Sequence, residues 1–121
     1  MILVDTSVWI DFFRGRPSAL EVRRLIEANG IVCHEDVLGE LALGTLPNRA
    51  RTLDYLRTLP STSRVPAAVV HDLIGRRRLS GTGIGWVDAN LLASAERDGR
   101  RLWTHDRRLA GVAAALDLLV Y

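Results

Sequence analysis

The chain has no lysine. All sixteen of its basic residues are arginine. Whole mechanisms that need a lysine therefore drop out. A P-loop nucleotide hydrolase requires one at its phosphates, and a receiver-type phospho-signalling domain requires one near its last strand. One cysteine, Cys33, excludes an internal disulfide and any cysteine-rich zinc site, and it suits a reducing cytoplasm. No apolar run approaches the ~20 residues that span a bilayer. No basic segment precedes the first apolar stretch, so no signal peptide and a cytoplasmic location are expected. Repeats and low-complexity linkers are absent too.

What is present suits one domain over residues 1–121, with 48% hydrophobic residues, enough for a core. The net charge is +2. Short apolar runs alternate with helical stretches. Residues 2–5 read as a strand buried on both faces, because its side chains do not alternate. Thr6 or Ser7 is placed to cap a short helix carrying Val8, Trp9, Phe12 and Phe13. Pro17 suits the first turn of a helix over 20–28. A strand at 31–34 follows, then helices over 36–43 and 47–59. The loop 60–66 holds a weak edge strand near Arg64 and Val65. Helices over 67–79, 86–98 and 107–116 surround strands at 102–104 and 118–120. Such alternation predicts an α/β, three-layer fold. Its central sheet is mostly parallel, with four to five short strands and helices on both faces. In such sheets function gathers beyond the carboxyl ends of the strands.

Four of the fourteen acids stand in apolar company. Asp5 closes Ile2-Leu3-Val4. Glu40 lies within Val37-Leu38-Gly39-Glu40-Leu41. Asp88 lies within Trp86-Val87-Asp88-Ala89, and Asp106 follows Leu102-Trp103-Thr104-His105. On the expected fold all four project from one sheet edge. At 4 Å and an effective dielectric near 20, each pair repels by about 4 kcal/mol. Protonation, arginine partners or a divalent cation relieves this. Oxygen-only ligands select a hard ion, Mg²⁺ or Mn²⁺, which activates water and stabilises a phosphodiester in displacement. Thr6, Ser7 and Thr104 would orient carboxylates or waters. Three of the acids also have a plain structural reading, Asp5 and Asp106 as helix caps and Asp88 as an acid favoured by a helix dipole, whereas Glu40 is hardest to dismiss.

The stretches "ILVDTSVWIDFF", "DVLGELALG", "GIGWVDANLLASA" and "RLWTHDRRL" together resemble the PIN-domain ribonucleases, most nearly the VapC toxins of toxin–antitoxin pairs. They span the chain in order, and its length suits a free-standing member. The resemblance implies a metal-dependent endoribonuclease with Asp5, Glu40, Asp88 and Asp106 as its acidic quartet. Asp5 and Asp88 would be the direct ligands of Mg²⁺ or Mn²⁺. It also implies a homodimer and a VapB-like antitoxin that lays a C-terminal segment over the toxin. A solitary RNA-processing nuclease and a non-catalytic RNA- or protein-binding domain are the alternatives. No catalytic role is expected of His105.

RNA needs a positive rim around such a negative hole. Arg14, Arg16, Arg76, Arg77, Arg78, Arg100, Arg101, Arg107 and Arg108 are candidates for backbone contacts, a solvated face being the plain alternative for each. Trp9, Phe12 and Phe13 are candidates for an antitoxin groove or for core packing. Trp86 and Trp103 suit a core or dimer interface better than base stacking. A haloacid-dehalogenase-type site would need an aspartate at position 7, which is Ser7. The glycines at 81, 83 and 85 follow a helix, not a strand, so a dinucleotide site is misplaced.

Overall fold

A computed structural model describes residues 1–121. The elements in order are β1 (Ile2–Val4), α1 (Thr6–Phe13), α2 (Ala19–Glu27), β2 (Ile31–His34), α3 (Glu35–Leu43), α4 (Arg49–Leu56), β3 (Ser61–Thr62), α5 (Ala67–Arg76), α6 (Trp86–Asp98), β4 (Arg101–Trp103) and α7 (Arg107–Ala115). The strands form one sheet in the order β3-β2-β1-β4, and every pairing is parallel. Ile2 pairs with Ile31 on one side and Arg101 on the other. All four residues of β2 are buried. Successive strand side chains point to opposite faces, so helices cover both. The chain steps outward from β1 through β2 to β3, then returns to add β4 on the opposite side of β1. That reversal makes the carboxyl ends of β1 and β4 the switch point where open α/β sheets bind ligands.

The core joins Leu3 and Val4 of β1, Val32 of β2 and Leu102 of β4 to Val8, Trp9, Val37, Leu73, Leu91, Leu92 and Leu109 from the helices. α6 has its central residues Ala89 to Ala95 buried. It starts after the extended Gly85 and stops at Gly99, whose φ of 64° is the left-handed conformation glycine adopts freely. No helix is long and apolar enough to cross a membrane.

Several expectations shift. The edge strand falls at Ser61–Thr62, opposite Cys33 and His34, rather than at Arg64 and Val65. Arg64 is drawn away by its Nε–H, which is shared between the two Asp36 carboxylate oxygens at 2.7 and 2.8 Å, and Val65 turns into the core. Residues 118–120 make no full strand, only a parallel bridge from Leu119 to Leu102. α4 is shorter than 47–59 because Asn48, at φ 47°, blocks the start. α5 ends at Arg76 because Arg78 turns left-handed at φ 54°. Pro17 lies just ahead of α2, not in its first turn.

One buried polar chain was not foreseen. His34 Nδ1 accepts from the Asp36 N–H at 3.0 Å, so Nε2 carries the proton and donates to Ser94 Oγ at 3.0 Å. Ser94 Oγ donates to the Ser63 carbonyl at 3.2 Å. The chain ties the end of β2 to α6 with every partner satisfied. Burial lowers the His34 pKa and keeps the ring neutral. Burial also pushes the Cys33 thiol up to about 12, which leaves it unreactive.

Candidate active site

Asp5 sits where β1 ends and is 6% exposed. It is the N-cap of α1, but only its carbonyl caps, accepting from Val8 and Trp9. Its carboxylate turns towards β4. There Ser7 Oγ and Thr104 Oγ1 each donate to Oδ2 at 2.7 Å. A hydroxyl has one hydrogen, so the 3.3 Å approach of these two oxygens is a contact rather than a third bond. Both hydroxyls are themselves fixed by the turn after β4. Ser7 Oγ accepts from the His105 N–H at 2.9 Å, and Thr104 Oγ1 accepts from the Asp106 N–H at 3.0 Å. The expected orienting role of Ser7 and Thr104 fits this geometry. The expected cap by the Thr6 or Ser7 side chain does not form, because both hydroxyls are engaged elsewhere.

The other acids follow one rule. Asp88, in the first turn of α6, accepts the Gly85 N–H on Oδ2 at 3.1 Å. Asp106, the N-cap of α7, accepts the Leu109 N–H on Oδ1 at 2.9 Å. Glu40, on α3, accepts Thr6 Oγ1 on Oε1 at 2.7 Å. Every one of the four carboxylates thus has one oxygen anchored by the protein and one, Asp5 Oδ1, Glu40 Oε2, Asp88 Oδ1 or Asp106 Oδ2, with no protein donor. The anchors orient the free oxygens without consuming them.

No arginine or histidine pairs with any of the four. Three helix N-termini, those of α1, α6 and α7, supply positive partial charge instead, each worth about 0.3–1 kcal/mol to a neighbouring carboxylate. They leave a deficit. The Asp88 pKa is raised, first by burial and then by the charges of Asp5 and Asp106, while the Gly85 N–H opposes the shift. Asp88 therefore feels both Asp5 and Asp106, and Glu40 stands further out, exposed and linked to the edge through Thr6.

This donor set fits a hard divalent cation. It offers oxygen alone, in uncompensated negative charge, with free lone pairs at a sheet switch point. No three acidic, imidazole or thiol side chains are close enough to hold an ion unaided. That arrangement suits Mg²⁺ or Mn²⁺, which retain several waters and take one or two carboxylates directly.

The remaining candidates divide. Trp9 is wholly buried, edge-on to Phe12 at 5.7 Å and stacked on Phe13 at 6.1 Å, so it belongs to the core and offers no contact surface. Phe12 and Phe13 are half-buried. Phe13, Arg14 and Glu40 meet at a hollow of about 230 Å³ between α1 and the turn after α3. Arg76 joins α5 to α6 through Asp72 at 3.3 Å and Glu96 at 2.7 Å, and is not a free cation. Arg100 and Arg101 face Asp98 and Asp117, whereas Arg16 is exposed. Arg77, Arg78, Arg107 and Arg108 have no carboxylate partner and line a hollow of about 530 Å³. Trp103 is core, whereas Trp86 is 41% exposed against the His71 ring at 5.1 Å. One neighbour of the site escaped the sequence reading. Asp11 Oδ2 holds His105 Nδ1 at 2.6 Å across 94 residues of chain, a separation that no local pattern signals.

The PIN domain family model matches residues 2–115. The chain belongs to the PIN-domain family. It is 48% identical over 118 residues to Ribonuclease VapC32 of Mycobacterium tuberculosis, covering 94% of this chain and 91% of that one. Among solved structures, FitAcB from Neisseria gonorrhoeae superposes with a TM-score of 0.70 at 20% identity, over 100% of this chain and 96% of that one. A toxin–antitoxin complex from Klebsiella pneumoniae gives 0.69 at 23% identity, with 92% of each chain covered. At those identities the two structures speak for the PIN fold alone.

Proposed function

We propose that this PIN-domain protein is a Mg²⁺- or Mn²⁺-dependent endoribonuclease that acts as the toxin of a toxin–antitoxin pair. The observation that carries the proposal is a set of four carboxylates, each anchored through one oxygen and free at the other: Asp5 and Asp106 follow β1 and β4, Asp88 feels both, and Glu40 is tied to that edge through Thr6. Asp5 and Asp88 are the residues to hold the ion. Glu40 and Asp106 complete the pocket and position water through Oε2 and Oδ2. Ser7 and Thr104 keep the Asp5 carboxylate in register with the turn that carries Asp106. When bound, the ion neutralises the acids, lowers the pKa of water and stabilises charge on the phosphodiester. VapC32, named a ribonuclease and alike over nearly its whole length, supports the activity. The hollow beside Phe13, Arg14 and Glu40 offers an apolar seat with charged flanks to a VapB-like antitoxin segment. Val69 and Trp86, exposed on neighbouring helices, suit a homodimer face.

The test is brief expression with cleavage sites mapped in cellular RNA, for the native chain and for Asp5→Asn. Growth arrest with defined cuts, lost in Asp5→Asn and relieved by the product of a neighbouring small reading frame, is expected. Cuts without arrest, and no such neighbour, would make the protein a solitary RNA-processing enzyme. Full cleavage by Asp5→Asn would overturn the assignment.

A further inference from the structure

α7 carries an unusual surface. Arg107 and Arg108 open it, directly after the site residue Asp106, and one face of the helix runs from them along the 530 Å³ hollow. Arg77 and Arg78, just past the end of α5, close the hollow from the other side. None of the four guanidinium groups has a carboxylate partner, and no acid lines the hollow. The neighbouring arginine differs. Arg76, one residue earlier, takes both Asp72 and Glu96.

The floor is made to be approached. At Gly111 an added Cβ would meet nothing within 4 Å, so the middle of α7 leaves open space where a side chain would stand. Gly83, at φ 86°, lies against the Arg108 side chain, where a Cβ would come within 2.9 Å. This close approach holds Arg108 along the wall. Two of the hollow's borders run towards residues next to the acids. Its α7 end begins one residue past Asp106. On the other side its Leu79 wall is shared with a smaller hollow that reaches Gly85, the residue that anchors Asp88.

Resting on the nuclease reading, we infer that this hollow is a second RNA-backbone subsite. It receives the phosphates of the strand that flanks the scissile bond and leads them away from the acids. Four uncompensated arginines, two at the start of a helix of nine residues about 13 Å long and two facing them from beyond α5, match a short run of phosphates. They stand beside a pocket whose own charge repels RNA. Arginine's fork binds phosphate through paired N–H groups, and the contact is sequence-independent.

The experiment is fluorescence anisotropy of a labelled single-stranded RNA of about twelve nucleotides, within the site sizes such grooves span, with the full chain in EDTA so that no cleavage occurs. Binding is measured across salt for the native chain, for the double variant Arg107→Gln/Arg108→Gln and for Gly111→Leu. Each lost phosphate contact lowers the slope of log K against log salt by ~0.7 and weakens binding by about fivefold at 0.1 M salt. The double variant is therefore expected to lose ~1.4 of slope and about 25-fold in affinity. Arg107→Lys/Arg108→Lys is expected to recover the slope, which a folding defect would not allow. Gly111→Leu fills the hollow and favours the helix. It is expected to raise the melting temperature while weakening RNA binding. An unchanged slope in the double variant, or full binding in Gly111→Leu, overturns the subsite. So does a hexaglutamate peptide whose binding falls in these variants while RNA binding does not, since that assigns the hollow to a protein partner. If RNA binding follows the prediction but metal never brings cleavage, the subsite stands and the nuclease reading falls. Cleavage with unchanged slopes gives the reverse.

Discussion

Replacing Thr104 by valine removes one hydroxyl and leaves the shape. Thr104 is 7% exposed, so valine fills the same space without a cavity. Two bonds disappear: the 2.7 Å donation to Asp5 Oδ2 and the 3.0 Å acceptance from the Asp106 N–H. A hydrogen bond to an ionised group contributes about 1.5–3 kcal/mol. The Asp106 N–H is on an exposed residue, and water replaces its partner cheaply. The net loss is therefore about 2 kcal/mol, or roughly 6–10 °C in melting temperature for a chain of this size. Asp5 also loses half of its anchor and is freer to rotate. Disturbing a partner of a metal ligand costs 10- to 100-fold in metal affinity or activity, and a cleavage assay titrated with Mn²⁺ should show a loss of about that size. Thr104→Ser keeps the hydroxyl and should remain within about threefold of native on the same scale. Thr6→Val, whose lost bond reaches only the exposed Glu40, should cost about 0.5 kcal/mol. If Thr104→Val titrates with Mn²⁺ as the native chain does, or if Thr104→Ser is equally impaired, the hydroxyl relay does not hold Asp5 for function.

Three further outcomes follow from the same geometry. Asp88→Asn keeps an oxygen for the Gly85 N–H and removes a charge that burial, Asp5 and Asp106 all disfavour. Without metal it should melt above the native chain. An ion at a hundred times its Kd should stabilise the native chain by about 2.7 kcal/mol and the variant far less, as differential scanning fluorimetry would show. The His34 pKa is lowered on folding, so below the unfolded value near 6.5 the unfolded chain binds the extra proton. Stability is then complete above that pH and falls as pH drops through 6 to 5, a fall that urea titrations of His34→Gln should lack. Ser18 is the N-cap of α2, yet its Oγ is buried with no partner. Ser18→Ala usually costs about 0.5–2 kcal/mol at such a position; here it should cost nothing or stabilise slightly, and a drop of 1 kcal/mol or more would contradict the geometry.

Much of this fold could be read from the chain because local signals agreed. α6 runs over 86–98 as expected, since Gly85 and Gly99 bracket it and apolar residues fill its centre. The four acids were visible as charges in apolar company, and strand-helix alternation pointed to one sheet edge, where Asp88 feels Asp5 and Asp106 while Glu40 stands further out. Their capping role leaves room for the proposed chemical one. Asp88 and Asp106 are helix-capping acids through one oxygen and remain free at the other. What stayed hidden was long-range. Ser7 and Thr104 lie 97 residues apart, His34 and Ser94 lie 60 apart, and only the folded sheet brings them together. The burial of Trp9 and the pairing of Arg76 likewise depend on neighbours from other elements.

The proposal at the centre is that Asp5 and Asp88 hold one functional divalent ion, with Glu40 and Asp106 completing the pocket around it. Isothermal titration of the metal-free chain with Mn²⁺ tests it most directly, comparing the native protein with Asp5→Asn, Asp88→Asn, Glu40→Gln and Asp106→Asn. The account predicts saturable binding by the native chain, its loss in Asp5→Asn and Asp88→Asn, and weakening in the other two, with RNA cleavage following the same order. Undiminished Mn²⁺ binding in both Asp5→Asn and Asp88→Asn, or RNA cleavage that persists in EDTA, would contradict it.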